Sequence, residues 1–294
     1  MTHPALPLIE SGLAGAQTAL LAGDFETLRA RLQMTLDALA RVTAEGLVPR
    51  QQRPAAPWDG PRALRLVWHV LAELRTAGCP AFPYAGTLLG LQRDGALLPN
   101  DKDADIAVWL DDFSLAGRLL QGLGLRRARD VPPFGNVATY VDGDTGYSID
   151  VFGLRRDPAR GCIEGGAWLY DRPPSHQRVL RLPWFALRER PSPAGLVWWP
   201  DPAEALLEAF YGDWRTPQPE WDTQISNRAL VAMNLSWTCL AWKALCQCWL
   251  TGDLPRTQRL AQQIRARCGA QPQLDAWCAV LDAAVAPPPK PGHG

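Results

Sequence analysis

Tyr84-Ala85-Gly86-Thr87-Leu88-Leu89-Gly90 is followed by Arg93-Asp94-Gly95 and by Pro99-Asn100-Asp101-Lys102-Asp103-Ala104-Asp105-Ile106. Its counterpart downstream is Tyr147-Ser148-Ile149-Asp150-Val151-Phe152. At strand period, Asp103 and Asp105 leave one face while Ala104, Ile106 and Val108 turn to the other. Asp150 sits within an apolar strand, where a carboxylate is costly unless a cation or hydrogen-bond donors compensate it. Carboxylates converging from two strands make a hard-oxygen site suited to Mg²⁺ or Mn²⁺. Ala81 to Tyr84 reads as a short strand entering the Gly86-Thr87 turn, and a short helix follows over Leu88 to Gln92. A turn at a helix N-terminus would offer N–H groups and a hydroxyl to a phosphate. Arg93 could place a guanidinium fork on a phosphate oxygen.

Working outward, Arg62 to Thr76 carries Leu64, Val67, Trp68, Leu71 and Leu74 on one helical stripe, and Gly78 ends it. Another helix is predicted near Phe113 to Leu123. A hairpin follows: Val137 to Val141, a Gly143-Asp144-Thr145-Gly146 turn, and Tyr147 to Phe152. Asp201-Pro202-Ala203-Glu204 predicts a helix start with Asp201 as N-cap, Pro at the first helical position, and a stop at Gly212. The whole is an α/β (α+β) protein, a mixed sheet flanked by helices with helical extensions at both ends. The expected division is an N-terminal helical extension over 1–47, a linker over 48–60, a catalytic domain over 61–221, a helical region over 222–286, and a disordered tail over 287–294. In the first extension two helices are separated by Gly23-Asp24, with Leu28, Leu32, Leu36 and Leu39 at helical spacing. The same Gly-Asp break recurs at Gly252-Asp253.

Thirty basic and thirty acidic residues cancel, so no overall field favours nucleic acid or an anionic membrane. The seven cysteines form no CxxC pair and read as reduced, buried and structural. The N-terminus lacks the pattern of a secretory signal. The most apolar long segment, Ala229 to Leu250, is interrupted by Asn234, Ser236, Lys243 and Gln247, and reads as a core helix rather than a membrane span. A cytoplasmic protein is expected, with peripheral membrane contact left open. Thirteen tryptophans are expected to pack cores, Trp198-Trp199 and Trp237, Trp242 and Trp249 among them. Tyr211, Trp214 and His176 are secondary site candidates, and His69 reads as structural.

These motifs together resemble the LicD/fukutin family of the nucleotidyltransferase-fold superfamily: Gly-Thr-Leu-Leu-Gly, Arg-x-Gly, Pro-x-Asp-x-Asp-x-Asp-Ile and Ile-Asp-Val-Phe. Leu182-Pro183-Trp184-Phe185, Val197-Trp198-Trp199-Pro200 and Phe210-Tyr211-Gly212-Asp213-Trp214-Arg215-Thr216-Pro217 look like its closing block. The likeness runs from about Pro61 to Trp221, with departures at Asn100 and Lys102. The resemblance implies a divalent metal and a phospho-substituent moved from a CDP-activated donor to a sugar hydroxyl of a glycan. It also implies Asp103 and Asp105 as metal ligands, Asp150 as third ligand or base, and Gly86, Thr87 and Arg93 on the donor phosphate. Asp101 is either an outer carboxylate or part of a loop.

Two alternatives stay open at this point. One is a nucleotidylyltransferase of the same fold, attacking the α-phosphate of an NTP and releasing pyrophosphate. The other is a helical scaffold around a degenerate core.

Overall fold

The computed structural model describes residues 6–47, 59–99, 101, 103–269 and 271–285. In chain order the first elements are α1 (Leu6–Leu21), α2 (Phe25–Ala44), α3 (Gly60–Thr76), β1 (Phe82–Pro83), α4 (Ala85–Arg93) and β2 (Asp103–Trp109). Then come α5 (Phe113–Gly122), β3 (Arg126–Arg127), β4 (Val137–Val141), β5 (Ser148–Asp157), β6 (Cys162–Ala167) and β7 (Arg178–Pro183). The last are β8 (Ala186–Ser192), β9 (Gly195–Asp201), α6 (Ala203–Tyr211), α7 (Leu235–Leu250), α8 (Leu254–Cys268) and α9 (Pro272–Val285). The chain forms two compact units, one of Pro54–Gln218 with Asn227–Ala232, the other of Met1–Arg53, Pro219–Ser226 and Met233–Gly294. Of the expected 48–60 linker, residues 48–58 lie outside the described residues, as do Asn100, Lys102 and the 287–294 tail, while Asp59 caps α3 and Gly60 opens it.

The first unit is built on a mixed sheet in the order β1-β2-β5-β4-β3, with β6 continuing from the far end of β5 and β7 beyond it. β2 and β5 run parallel, and the other pairs are antiparallel. The alternation read from the sequence sets the two faces. Ala104, Ile106, Val108, Ile149 and Val151 are fully buried, under α5: its Gly117 abuts the Tyr140 hydroxyl, and its Phe113 lies against Gly153. The opposite face carries Asp103 and Asp105 at one end. At the other, Phe152 packs on Tyr84 (5.3 Å between ring centroids) and Tyr84 on Phe210 of α6 (5.2 Å). Trp68 of α3 stacks on Trp199 of the separate β8–β9 hairpin at 6.3 Å.

Three expectations change. Strands β6 to β9 were not predicted, because Gly165-Gly166 and Pro-rich segments break their alternation. Helix α6 starts without the expected cap: Asp201 belongs to β9 and pairs with Arg188, and no side chain caps Pro202. The helical reading from Asp222 onward also gives way. Residues 227–232 return to the sheet, where Leu230 bridges Leu180 and the Val231 N–H donates to the Val179 carbonyl (3.0 Å). Helix α7 begins only at Leu235, capped by Asn234.

The regular elements of the second unit are all helices among its described residues. Leu28, Leu32, Leu36 and Leu39 of α2 are fully buried, as are Trp237 and Trp249 of α7 and Trp277 of α9. Trp249 Nε1 donates to Thr43 Oγ1 at 3.0 Å. The two Gly-Asp breaks are built alike. Gly23 and Gly252 take positive φ (66° and 79°), and Asp24 and Asp253 each accept from a backbone N–H three residues on, at 3.0 Å. All seven cysteines are free, and all but Cys268 are buried. No helix among the described residues is long and apolar enough to cross a membrane.

Candidate active site

Asp105 is the best-held residue of the carboxylate face. Ala85, the first residue of α4, has φ 41°, a left-handed value that costs an L-residue about 1–2 kcal/mol. At that bend the Gly86 N–H donates to Asp105 Oδ2 at 3.1 Å. The Asp105 N–H in turn donates to Thr87 Oγ1 at 2.8 Å, and the Tyr84 N–H donates to the Asp105 carbonyl at 3.0 Å. The Gly-Thr turn thus grips Asp105 from both sides. Thr87 is fully buried, so its hydroxyl ties α4 to β2. The hydroxyl expected on a phosphate accepts the Asp105 strand N–H in this structure.

The absence of a side chain at Gly86 has a direct reason. A Cβ there would stand 3.0 Å from Asp101 Oδ2 and 3.4 Å from Asp105 Oδ2. Both carboxylates therefore close on one point of the α4 backbone, which makes Asp101 part of the site.

Asp150 arrives from the neighbouring strand. In the parallel β2–β5 pair Asp105 is registered with Asp150, and Asp103 with Ser148. Paired residues share a face, so Asp103, Asp105 and Asp150 stand on the same side of the sheet. Thr139 of β4, registered with Asp150, donates its hydroxyl to Asp150 Oδ1 at 2.6 Å. The sequence reading did not name Thr139. Its signal was present, since a hairpin closed by the Gly143–Gly146 turn and pairing Val141 with Ser148 sets Thr139 opposite Asp150.

The electrostatics follow from crowding like charges in partial burial. Burial first, then Asp103, pushes Asp101 up to about 7. Burial raises Asp105 well above the carboxylate range, with Asp103, Asp150 and Asp101 adding to it and the Gly86 N–H opposing. Burial lifts Asp150 to about 6; the Thr139 hydrogen bond opposes this and Asp103 adds to it. Tyr147 and Tyr211 also feel the cluster: burial raises both, and both sense Asp101 and Asp105. Tyr211 and Trp214 are buried.

A cluster of crowded hard oxygens fits a divalent cation in donor chemistry. The side chains are neighbours without being drawn to one point. Among the described residues no three His, Cys, Asp or Glu groups are arranged to hold a metal ion. Arg93 stands at the other end of α4, its guanidinium on Asp94 (2.9 Å) and on the Trp214 carbonyl (3.4 Å). His176 is buried in a short 3₁₀ turn with Ser175 Oγ at its Nδ1 (3.1 Å). His69 is an exposed member of α3, 3.9 Å from Glu73.

Comparison with known proteins gives three results. No curated protein matches the chain. Among solved structures, a crystal structure of ANT(2″)-Ia in complex with adenylyl-2″-tobramycin aligns at 14% identity, over 69% of this chain and 97% of that one, with a TM-score of 0.33. A solution structure of the antibiotic-resistance factor ANT(2″)-Ia aligns at 11% identity, over 76% and 93%, with a TM-score of 0.30. Residues 78–144 match the family described as LicD/FKTN/FKRP, nucleotidyltransferase domain, a stretch that ends before Asp150. The resemblance read from the motifs is therefore supported over the segment that holds Gly86, Asp101, Asp103 and Asp105, which is similar to the LicD/FKTN/FKRP nucleotidyltransferase domain.

Proposed function

We propose that the protein transfers a phospho-substituent, of phosphocholine or phospho-alditol type, from a CDP-activated donor to a sugar hydroxyl of a glycan, releasing CMP. The family match by itself supports the coarser statement, a transferase acting on sugar or phosphate groups. The observation that supports the finer reading is the registered pair Asp105 and Asp150, with Asp103 on the same face and Asp101 beside them. Mg²⁺ or Mn²⁺ held by Asp103, Asp105 and Asp150 would neutralise the donor diphosphate.

The chain's own residues then have distinct tasks. Gly86 and Thr87 fix Asp105, backbone and side chain. Thr139 fixes one oxygen of Asp150. Asp150 would serve either as third ligand or as the base that takes the proton of the attacking hydroxyl. The hydroxyl oxygen bonds to the distal phosphorus as the bridging P–O bond breaks, and CMP leaves with the electron pair. Arg93 would reach a donor phosphate only by exchanging Asp94 for it.

A donor screen on the purified chain with Mn²⁺ tests this by reading released CMP. Asp103→Ala and Asp105→Ala should each keep less than about a tenth of the turnover, since metal-supported stabilisation of the transition state is worth several kcal/mol. Pyrophosphate from an NTP, with no CMP from CDP-linked donors, would replace the reading by nucleotidyl transfer. No turnover, and no thermal shift with Mn²⁺ and cytidine nucleotides, would leave a scaffold.

A further inference from the structure

Beyond the aspartates, the catalytic unit holds an open groove of about 900 Å³ at the β3 edge of the sheet. Arg126, Arg127 and Arg129 line it, facing an apolar wall that includes Val131, Pro133 and Phe134. None of the four aspartates does. The three arginines are exposed, and none forms an ion pair among the described residues. Asp130 is the one acidic neighbour in this segment and is itself exposed. At the far end of the wall, Gly135 receives the ring of Tyr170, which is 62% exposed.

Register ties this groove to the carboxylates. Arg126 pairs with Val141, Val141 with Ser148, and Ser148 with Asp103. Arg126 therefore emerges on the same face as Asp103, three strand spacings away, or about 14 Å. The backbone is coupled as well: the Ala128 N–H donates to the carbonyl of Thr139, the residue that holds Asp150 (2.9 Å).

We propose that this groove binds an anionic, phosphate-bearing segment of the acceptor chain, a few units from the sugar presented to Asp150. The proposal rests on the transfer reading above. Guanidinium groups match phosphate oxygens in a planar fork, and the apolar wall with an exposed tyrosine suits the C–H faces of sugar rings. A free phosphate would need only one arginine, whereas two on an edge strand and a third just past it suit a chain. A nucleic acid fits less well: the protein is neutral overall and lacks the broad basic field such partners need.

The test uses the full chain and short-chain inorganic polyphosphate as probe, with orthophosphate, neutral dextran and single-stranded DNA for comparison. Binding is followed by calorimetry in 50 and 200 mM salt. Polyphosphate should bind, and with three phosphate contacts its affinity should fall about 20-fold across that range. The Arg126→Gln/Arg127→Gln/Arg129→Gln variant should lose at least tenfold in affinity and most of the salt dependence. The corresponding Lys variant should keep most of both, and melting curves should show all of them folded. Equal binding by the Gln variant overturns the proposal, as does dextran or orthophosphate binding as tightly as polyphosphate. Tighter binding of DNA overturns it in favour of a nucleic acid. Asp103→Ala should bind polyphosphate normally. Arginine-dependent binding in a protein that releases CMP from no donor would sink the transfer reading and keep the groove as a polyanion site.

Discussion

Gly86 and Asp105 meet backbone to carboxylate, N–H to Oδ2 at 3.1 Å, and a methyl group at Gly86 would sit 3.0 Å from the Asp101 carboxylate as well. Gly86→Ala should therefore fold, because alanine is the better helix former and α4 already runs through this position. It should displace the Asp101 carboxylate by a few tenths of an ångström, crowd that of Asp105, and lower CMP release at least tenfold, since small misplacements of reacting groups are costly. Steady-state turnover beside a thermal melt checks this. Unchanged turnover would mean the two carboxylates move freely.

Thr87 gives a complementary pair of variants. Thr87→Val keeps the shape but leaves the buried Asp105 N–H without its acceptor, a cost of about 1–3 kcal/mol. For a unit of this size that reads as roughly 2–4 °C of Tm per kcal/mol. Thr87→Ser keeps the oxygen and should recover most of the loss. Equal melting of the two variants would remove the clasp from the account.

Ala85 holds a left-handed φ of 41°, which glycine adopts without the Cβ penalty. Ala85→Gly should leave stability unchanged or raise it by about 1 kcal/mol, after the entropy glycine loses on folding. Loss of activity with gain of stability would identify the bend as strain kept for the site. A lower Tm argues against the strain.

The raised carboxylates make a signed prediction about pH. A carboxyl whose folded pKa lies above its unfolded value contributes stability that is complete below about pH 3.8 and is lost as pH rises through the folded value. For Asp150 that window closes near 6 and for Asp101 near 7. In chelator-treated protein, the Tm of Asp101→Asn/Asp150→Asn should match wild type near pH 4 and exceed it by several degrees at pH 8. A constant offset across the range would count against the crowding of these charges. Added Mn²⁺ should raise the wild-type Tm at pH 8 and leave the variant almost unchanged.

Asp105→Asn separates stability from function in one substitution. It removes the charge that burial and three neighbouring aspartates oppose while keeping an oxygen for the Gly86 N–H. The metal-free variant should melt higher than wild type at neutral pH and release less than about a tenth of the CMP, the expected trade at a destabilised site. Full turnover would take Asp105 out of the proposed cation site.

What was legible in the residues alone rests on short periods. Alternation put Asp103 and Asp105 on one face and buried Ala104, Ile106 and Val108. Leucine spacing gave α2, apolar spacing gave α3, and the turn residues gave the β4–β5 hairpin. These are local rules, and each acts within one element or one turn. Tertiary structure decided which strands became neighbours. The parallel register of Asp105 with Asp150 joins residues separated by a helix, two strands and several turns, and no local period encodes that alignment. It also decided that Thr87 faces β2, that Asp201 leaves the α6 cap for Arg188, and that residues 227–232 rejoin the sheet beside β7. In each case a backbone or side-chain partner distant in sequence competes with the local one, and burial settles the choice.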